Sequence, residues 1–292
     1  MTIYLNAISQ GLLWGIMGIG LYITFRILRF ADLTAEASFL MGASVSVALA
    51  VQGLHPVLAT LAAVGGGMLA GLVTGLMMTV FNIPSLLSGI ITLTGFYSIN
   101  LRIMGKPNVS FRGSQTIYQV LEHIFETPLG QRSLIGIVSA LLVIGFLSYF
   151  FKTDLGQAVI ATGDNEVMAD ALGIHTKGMK IFALVLSNGI IGLAGALVAQ
   201  DTGFSDMSMG TGTVVTALSA IVIGEVLLRD ATLVKRLFAI IIGAILYRLI
   251  LVAVLRLGFN SNDFRLISAT VLAIFLALPT IKSKFVRKGV KA

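Results

Sequence analysis

The sequence predicts an all-α protein that crosses a membrane about eight to ten times, with at least one short or discontinuous helix. Its 292 residues are 57% hydrophobic and 11% charged, and the mean hydropathy is +0.97. Soluble domains carry about 25% charged residues. Apolar runs of about 20 residues, which is the length that crosses a bilayer, recur along the chain. We therefore expect residues 1–292 to form a single transmembrane domain, because the apolar runs leave no soluble domain to place.

The composition argues against several other functions. The formal net charge of +7 is not a nucleic-acid signature, because the basic residues lie at the ends of apolar runs. The chain has no cysteine, so it has no disulfide, thiolate ligand or cysteine nucleophile. It has no Walker A motif, and its three histidines lie far apart in sequence. We expect no ATP hydrolysis, metal site, cofactor or other enzymatic activity in this chain.

Four apolar segments occupy the first part of the chain. They are residues 3–27, 35–51, 57–81 and 85–104. The second is short, and the polar run 31–36 leads into it. Such a run is typical of a capped helix start near a membrane face, where the chain is partly re-entrant. Glycines at four-residue spacing in the third, at Gly67, Gly71 and Gly75, predict close packing against a neighbouring helix or a second subunit.

Five more apolar segments follow the polar interval 105–130. They are residues 134–151, 181–199, 213–228, 233–255 and 266–281. The segment 213–228 is only 16 residues long and follows the glycine- and serine-rich run 202–212. A short helix after such a break is typical of a discontinuous helix that lines a cavity. With nine crossings, the basic residues concentrate on the side of the C-terminus, which predicts a cytoplasmic C-terminus and an extracellular N-terminus.

The segment 161–180 lies between two spans and predicts a short amphipathic helix. Asp164 and Asn165 are suited to cap its N-terminus, residues 166–172 make about two turns, and Gly173 is suited to end it. Its apolar face comprises Val167, Met168, Ala171 and Leu172. One interpretation is a helix that docks into a groove of a cytoplasmic partner. The other is an ordinary loop helix that lies on lipid headgroups.

Two charged residues fall within spans, where burial of charge is costly and indicates function. Glu225 lies near the cytoplasmic end of its short helix, where it reaches the interface or pairs with Arg229 one turn later. Arg248 is deeper, about 20 Å from the inner end of its helix at 1.5 Å per residue. We expect Arg248 to face a polar cavity, a subunit contact or a carboxylate, and lining of the substrate path is one of these possibilities.

Three further polar residues are candidates for the pathway. Glu36 lies at a helix start, where the helix dipole favours a carboxylate, so capping is its alternative role. Asn100 and Asn188 lie within apolar segments and need hydrogen-bond partners. Each of these two side chains either links helices or lines the solute path.

Residues 163–200 resemble the cytoplasmic coupling segment and following helix of ABC-importer permeases of the branched-chain amino acid and ribose class. The matching residues are Gly163, Asn165, Ala169, Gly173 and Ile174, followed by Gly192, Leu193, Ala194, Gly195 and Ala196. Residues 32–43 resemble that family's second helix. Together with residues 98–105 they resemble most the subgroup linked to tryptophan/tyrosine-type binding proteins. Glu225 departs from the pattern, since branched-chain members usually have glycine there, so their pore details do not transfer.

The resemblance implies a permease subunit of an ATP-driven importer in a bacterial plasma membrane. It implies three partners: a cytoplasmic ATPase dimer that binds ATP and Mg²⁺, an extracellular solute-binding protein, and a second permease subunit that is a copy of this chain or a paralogue. The implied solute is an amino acid, with an aromatic one such as tryptophan suggested by the subgroup. The alternative solutes are a nucleoside or a sugar. The alternative protein class is an ion-coupled secondary transporter.

The resemblance assigns residues to one site, and the charged and polar residues of the apolar segments described above suggest a second. The expected ATPase-coupling residues are Gly163, Asp164, Asn165, Glu166, Met168, Ala169, Leu172 and Gly173. The expected substrate-pathway residues are Glu36, Asn100, Asn188, Glu225 and Arg248. Of the first set, Asn165, Met168, Ala169 and Leu172 are expected to carry the coupling itself.

Overall fold

A computed structural model describes residues 2–120, 128–228, 232–256, 263 and 266–277 of the chain. The helices are α1 (Thr2–Tyr22), α2 (Thr34–Val51), α3 (Pro56–Thr79), α4 (Ser85–Met104), α5 (Ile117–Val120), α6 (Pro128–Phe150), α7 (Asp154–Asp164), α8 (Glu166–Ala171), α9 (Thr176–Thr202), α10 (Thr213–Leu227), α11 (Leu233–Arg256) and α12 (Leu266–Ala277). A π-helical turn, Ile23–Ile27, continues α1. Two short strands, β1 (Asn108–Ser110) and β2 (Phe204–Asp206), pair antiparallel.

Seven helices in the described part of the chain are long and apolar enough to cross a membrane: α1 with its π turn, α2, α3, α4, α6, α9 and α11. Two shorter apolar helices, α10 and α12, accompany them. The all-α polytopic fold is therefore confirmed. Arg229, Arg265 and the basic C-terminal tail, which contributed to the predicted orientation, lie outside the described residues.

Helix α9 is the centre of the fold and packs against α1, α2 and α3. Glycines where these helices meet allow the backbone of α9 to approach those of α2 and α3 closely. A Cβ on Gly42 of α2 would lie 2.0 Å from the carbonyl oxygen of Gly192, and one on Gly67 of α3 would lie 2.3 Å from that of Asn188. The predicted glycine face of α3 therefore packs on α9 of the same chain. The alternative, that this face meets a second subunit, is wrong.

Helix α9 also separates two ends of the molecule, since its 27 residues span about 40 Å. One end holds the π turn, α7 and α8, and we call it the α8 end. The opposite end holds α5 and the β1–β2 pair, in which Val109 faces Ser205. The chain returns from β2 toward the interior before α10 begins.

The short helix α10 begins inside the bundle. Its N-cap residue, Gly212, has a φ of +80° and donates its N–H to Oε1 of Glu36 at 2.8 Å. Glu36 itself lies in the first turn of α2, as expected. One carboxylate thus serves two helix starts, which both favour negative charge. The prediction of a short helix after a glycine-rich break is confirmed.

Several boundaries differ from the predictions, and α9, for example, extends beyond the predicted segment 181–199 at both ends. The polar interval after α6 contains an additional helix, α7, which was not predicted because Asp154, Gln157 and Gly163 interrupt its apolar pattern. Asp164 is the last residue of α7, so it does not cap α8, and Asn165 alone does. Helix α6 also begins six residues before the predicted segment at 134, because Pro128 is suited to the first turn of a helix.

Candidate functional site

The first candidate site is α8, a short helix between α7 and α9. The side chain of Asn165 accepts a hydrogen bond from Met168 N–H at 3.1 Å and fixes the helix start. Gly173 ends the helix with a φ of +85°, a conformation that glycine adopts without strain. Ile174 N–H then donates to the carbonyl oxygen of Ala169 at 3.0 Å. Residues at both ends thus hold this single short segment in a helical conformation.

The apolar side chains of α8 point away from the protein. Val167 is 81% exposed, Met168 is 62% exposed and Leu172 is 73% exposed. Ala169 is 2% exposed and lies on the inner side. The expected coupling residues therefore divide into an outward set that is free to meet a partner and an inward alanine that seats the helix. An aspartate at position 169 would disturb this packing as well as any partner contact.

Ion pairs and one close backbone contact attach this end of the molecule. Arg29, which follows the π turn, donates to Asp164 at 2.6 Å, and Lys180 of α9 pairs with Glu166 at 2.6 Å. A Cβ on Gly163 would lie 1.8 Å from the carbonyl oxygen of Ile27, so only glycine fits there. Exposed pairs contribute little energy individually, but together these contacts connect α7 and α8 rigidly to α1 and α9.

Glu225 makes a different ion pair from the one predicted. Near the end of α10, it accepts two hydrogen bonds from the guanidinium of Arg26 in the π turn. The predicted partner, Arg229, lies outside the described residues. A bidentate arginine–carboxylate pair fixes orientation as well as distance. The pair connects the end of α10 to the same π turn that supports α7.

A buried polar network surrounds Asn188 in the middle of α9. Its Nδ2 donates to Asp32 Oδ2 at 2.9 Å and to the carbonyl oxygen of Leu184 at 3.0 Å, and Ser38 Oγ donates to its Oδ1 at 2.7 Å. Asp32 Oδ1 also accepts from Thr34 N–H at 2.9 Å. Burial raises the pKa of the Asp32 carboxyl, and these hydrogen bonds oppose the rise. Asp32 was not among the predicted site residues, although it lies in the polar run 31–36.

Asn100 and Asn188 differ although both are fully buried. The hydrogen bonds that Asn188 makes with Asp32, Ser38 and Leu184 favour the interpretation that this side chain links helices. Neither Nδ2 nor Oδ1 of Asn100 has a hydrogen-bond partner within the residues described. Buried amides are rarely left in this state, so the predicted hydrogen-bond partner of Asn100 is not among the described residues, and its place in the pathway stays a prediction.

Arg248 lines a partly open cavity of about 270 Å³, which we call the inner cavity, between α1, α2, α9, α11 and the segment before α10. Its guanidinium carbon lies 4.6 Å from the centre of the Trp14 ring. Its Nε atom is buried and lacks a hydrogen-bond partner in the described structure. The structure thus places Arg248 at a mostly apolar cavity, and its role in the solute pathway stays a prediction.

Asp201, the residue before the last of α9, lines this cavity and a second one of about 600 Å³ at the opposite end. Its buried carboxylate pairs with Arg132 of α6 at 2.8 Å. Asp201 was not among the predicted site residues, because it lies beyond the predicted segment 181–199. The expected pathway residues do not form one cluster. Glu225 lies at the α8 end, Asn188 lies at mid-depth, and Arg248 lies nearer the opposite end.

Comparison with known proteins places these features in context. Residues 3–277 match the family described as branched-chain amino acid transport system / permease component. A tyrosine transport system permease protein of Clostridioides difficile is 39% identical over 275 residues, which cover 94% of this chain and 90% of the relative. An uncharacterized protein of Rickettsia prowazekii is 32% identical over 287 residues, 97% of this chain and 99% of the relative.

A more distant relative is the autoinducer 2 import system permease protein LsrC of Yersinia pestis. It is 29% identical over 166 residues, which cover 57% of this chain and 46% of the relative. No solved structure matches the chain.

Proposed function

Because the chain belongs to the branched-chain amino acid transport system permease family, we propose that it forms the solute pathway of an ATP-driven importer and transmits the work of a separate ATPase. As a family member it is a multi-pass membrane protein and a permease component of an ABC-type transport system. Beyond this family-level function, we propose which partners the chain has, which solute it carries and where it couples to the ATPase.

The exposed face of α8 carries the proposal. Val167 and Met168 of this six-residue helix and Leu172, its C-cap residue, present three large apolar side chains outside the membrane-spanning helices. A partner groove that accepts an amphipathic helix would remove this surface from water. Since ion pairs and Gly163 connect α7 and α8 to α1 and α9, movement of the docked helix would be transmitted to the bundle.

Docking of α8 to a cytoplasmic ATPase would fix which end of the permease meets each of the other partners. ATP and Mg²⁺ are bound by a cytoplasmic ATPase dimer, and an extracellular binding protein delivers the solute to the opposite end. The α8 end and the C-terminus then lie in the cytoplasm, and the N-terminus lies outside the plasma membrane of a bacterium. The basic residues at the α8 end, Arg26, Arg29, Lys152, Lys177 and Lys180, support this orientation.

The solute we propose is an amino acid with an aromatic side chain. The support is the tyrosine transport permease, which is 39% identical along nearly all of the chain. The LsrC relative supports the alternative of a non-amino-acid solute over a shorter alignment. Competition of labelled tyrosine or tryptophan uptake by unlabelled amino acids, nucleosides and sugars distinguishes these classes.

A second permease subunit is proposed to pack against α4. This helix is the least buried of the seven spans in the described structure. Its exposed residues combine large apolar side chains, such as Ile91 and Tyr97, with the polar or small residues Thr94, Gly95 and Ser98, whereas the exposed residues of α6 include the large apolar Leu142, Phe146 and Tyr149. Lipid suits the second face, and a protein or water-filled path suits the first. A second copy of this chain is the occupant that we propose for α4.

The proposed coupling is tested by Val167→Glu and Met168→Glu. Both side chains are exposed, so neither change should disturb the membrane fold, but a charge would have to be buried in an apolar groove at a cost of several kcal/mol. We expect each variant to lose ATP-driven solute uptake, and the permease purified from native membranes to lose the ATP hydrolysis that the wild type brings with it.

Leu54→Glu is the matched control, because Leu54 is an exposed apolar residue in a loop at the opposite end. It should retain both the ATPase activity and the uptake. If all three variants retained them, α8 would not be the docking site. If the wild-type chain alone in liposomes transported solute on an ion gradient without ATP, the secondary-transporter alternative would replace the proposal.

A further inference from the structure

Among the described residues, the positive charge of Arg248 beside the cavity has no carboxylate of its own. Among the described residues that line it, Arg248 and Asp201 are the charged ones, and Asp201 already pairs with Arg132 at 2.8 Å. The cluster therefore has two guanidinium groups and one carboxylate. Nε of Arg248 is fully buried without a hydrogen-bond partner. Buried charges are normally paired and hydrogen-bonded, so a group that brings a negative charge and acceptor oxygens would complete this site.

The walls of the same cavity are suited to an aromatic ring. Trp14 of α1 and Phe39 of α2 stack with ring centres 5.2 Å apart and an angle of 23° between the planes. Leu13, Val198 and Met209 complete the apolar lining. Sites for small ligands are mostly apolar, with a few polar groups that fix orientation. Here the polar groups are those of Gln10, Asp201, Thr202 and Arg248, whose guanidinium lies beside the indole in a cation–π contact.

The volume limits the ligand to a small molecule. About 270 Å³ lies near the lower end of the range of small-molecule sites, roughly 300–1,000 Å³. Asp201 lines both this cavity and the cavity of about 600 Å³ at the opposite end, so the two cavities are neighbours. The Arg132–Asp201 ion pair therefore lies beside both cavities.

We infer that the inner cavity binds a small molecule that carries both a carboxylate and an aromatic ring, with Arg248 on the carboxylate and Trp14 and Phe39 on the ring. An α-ammonium group, where present, would face the carboxylate of Asp201. This inference rests on the proposed transport function and deepens it. It assigns a solute site within a single permease chain, between α1, α2, α9 and α11. This site is separate from the contact between two subunits that we propose along α4.

Trp14 makes a direct binding measurement possible, because it is the only tryptophan in the chain. The intact permease is placed in lipid nanodiscs without ATPase or binding protein, and tryptophan emission is followed during titration. L-phenylalanine and phenethylamine are a matched pair of probes that differ only in the carboxylate. We expect saturable emission changes with L-phenylalanine and with 3-phenylpropionate, and at least about ten-fold weaker binding of phenethylamine, as is typical for loss of a charge-assisted hydrogen bond.

Two variants test the residues. Arg248→Gln should weaken L-phenylalanine binding by about ten-fold or more. Its control is Arg256→Gln on the same helix, since Arg256 also lies over an aromatic ring, Tyr4 at 4.7 Å, but at an exposed position away from the cavity. Val198→Phe keeps every charge and fills the cavity, so it should abolish binding. It remains informative if Arg248→Gln does not fold.

The outcomes separate this inference from the proposed function. Equal binding of L-phenylalanine and phenethylamine, unchanged binding in Val198→Phe, or no saturable change with any probe would overturn the site. ATP-driven uptake by the complete transporter is measured separately with the same variants. If uptake of aromatic amino acids persisted in Val198→Phe, the transport proposal would stand and the inner cavity would be excluded from it. If binding were confirmed but uptake were never ATP-dependent, the site would stand and the importer proposal would fail.

Discussion

At the residue scale, the two buried asparagines show that the same side chain in similar apolar segments has different roles. Asn188 connects α9 to Asp32 and Ser38 with hydrogen bonds of 2.7–2.9 Å. Asn100 has no hydrogen-bond partner in the described structure. A satisfied buried amide contributes to stability, whereas an unsatisfied one costs roughly 1–3 kcal/mol. The two residues therefore respond in opposite ways to an apolar substitution of similar size.

Asn188→Leu should lower the stability of the purified protein by about 2–4 kcal/mol, because it removes two donated hydrogen bonds and leaves the buried Asp32 carboxylate with fewer donors. Thermal unfolding in detergent, followed by loss of monodispersity, measures the change.

Asn100→Leu is the matched substitution, and it should leave stability unchanged or raise it by about 1 kcal/mol. A fall in stability equal to that of Asn188→Leu would show that Asn100 has a structural partner. If stability were retained while solute uptake fell, Asn100 would belong to the pathway or to the subunit contact.

At the element scale, helix packing depends on where glycine is indispensable. Gly42 and Gly192 bring α2 and α9 into backbone contact, and Gly67 does the same for α3. Gly145 of α6 has open space where its Cβ would lie. The sequence shows all of these residues as glycines in apolar helices, and only the packing distinguishes them.

Gly42→Ala should destabilise the protein by about 1–3 kcal/mol, because the added methyl would lie 2.0 Å from the Gly192 carbonyl oxygen and would force α2 from α9. Expression level and thermal unfolding of the purified variant measure this effect.

Gly145→Ala is the control, since alanine is favoured over glycine in a helix by up to about 1 kcal/mol and meets no neighbouring atom there. Equal destabilisation by both variants would show that helix flexibility matters more than close packing. Equal tolerance would show that α2 and α9 are further apart than the structure has them.

At the scale of the whole molecule, the glycine-rich faces of α3 and α9 are used within the chain, so the second subunit must use another surface. The mixed polar face of α4 is our proposal for it. The chain has no native cysteine, which makes single-cysteine cross-linking unambiguous.

Ser98→Cys, on the exposed face of α4, should give a dimer when membranes are treated with a short thiol-reactive cross-linker. Tyr149→Cys, on the exposed apolar face of α6, should remain monomeric under the same treatment, because lipid covers that face. Gel mobility under denaturing conditions separates the two results. A dimer from Tyr149→Cys alone would move the interface to α6.

The sequence by itself determined the membrane class, the approximate number of apolar helices, the break before α10 and the amphipathic segment that forms α8. These properties depend on local composition and spacing, since about 20 apolar residues cross a bilayer whatever their neighbours are. Capping by Asn165 and termination at Gly173 are also local, and the structure has both.

Only the tertiary structure decided which residues meet. Arg26 and Glu225 are 199 positions apart, and Asp32 and Asn188 are 156 apart, so no local pattern pairs them. The same is true of the cavity, to which α1, α2, α9 and α11 contribute Trp14, Phe39, Asp201 and Arg248. In a bilayer the hydrophobic effect does not select helix partners, so close backbone approach and satisfaction of buried polar groups decide them. Both depend on the three-dimensional packing of distant segments.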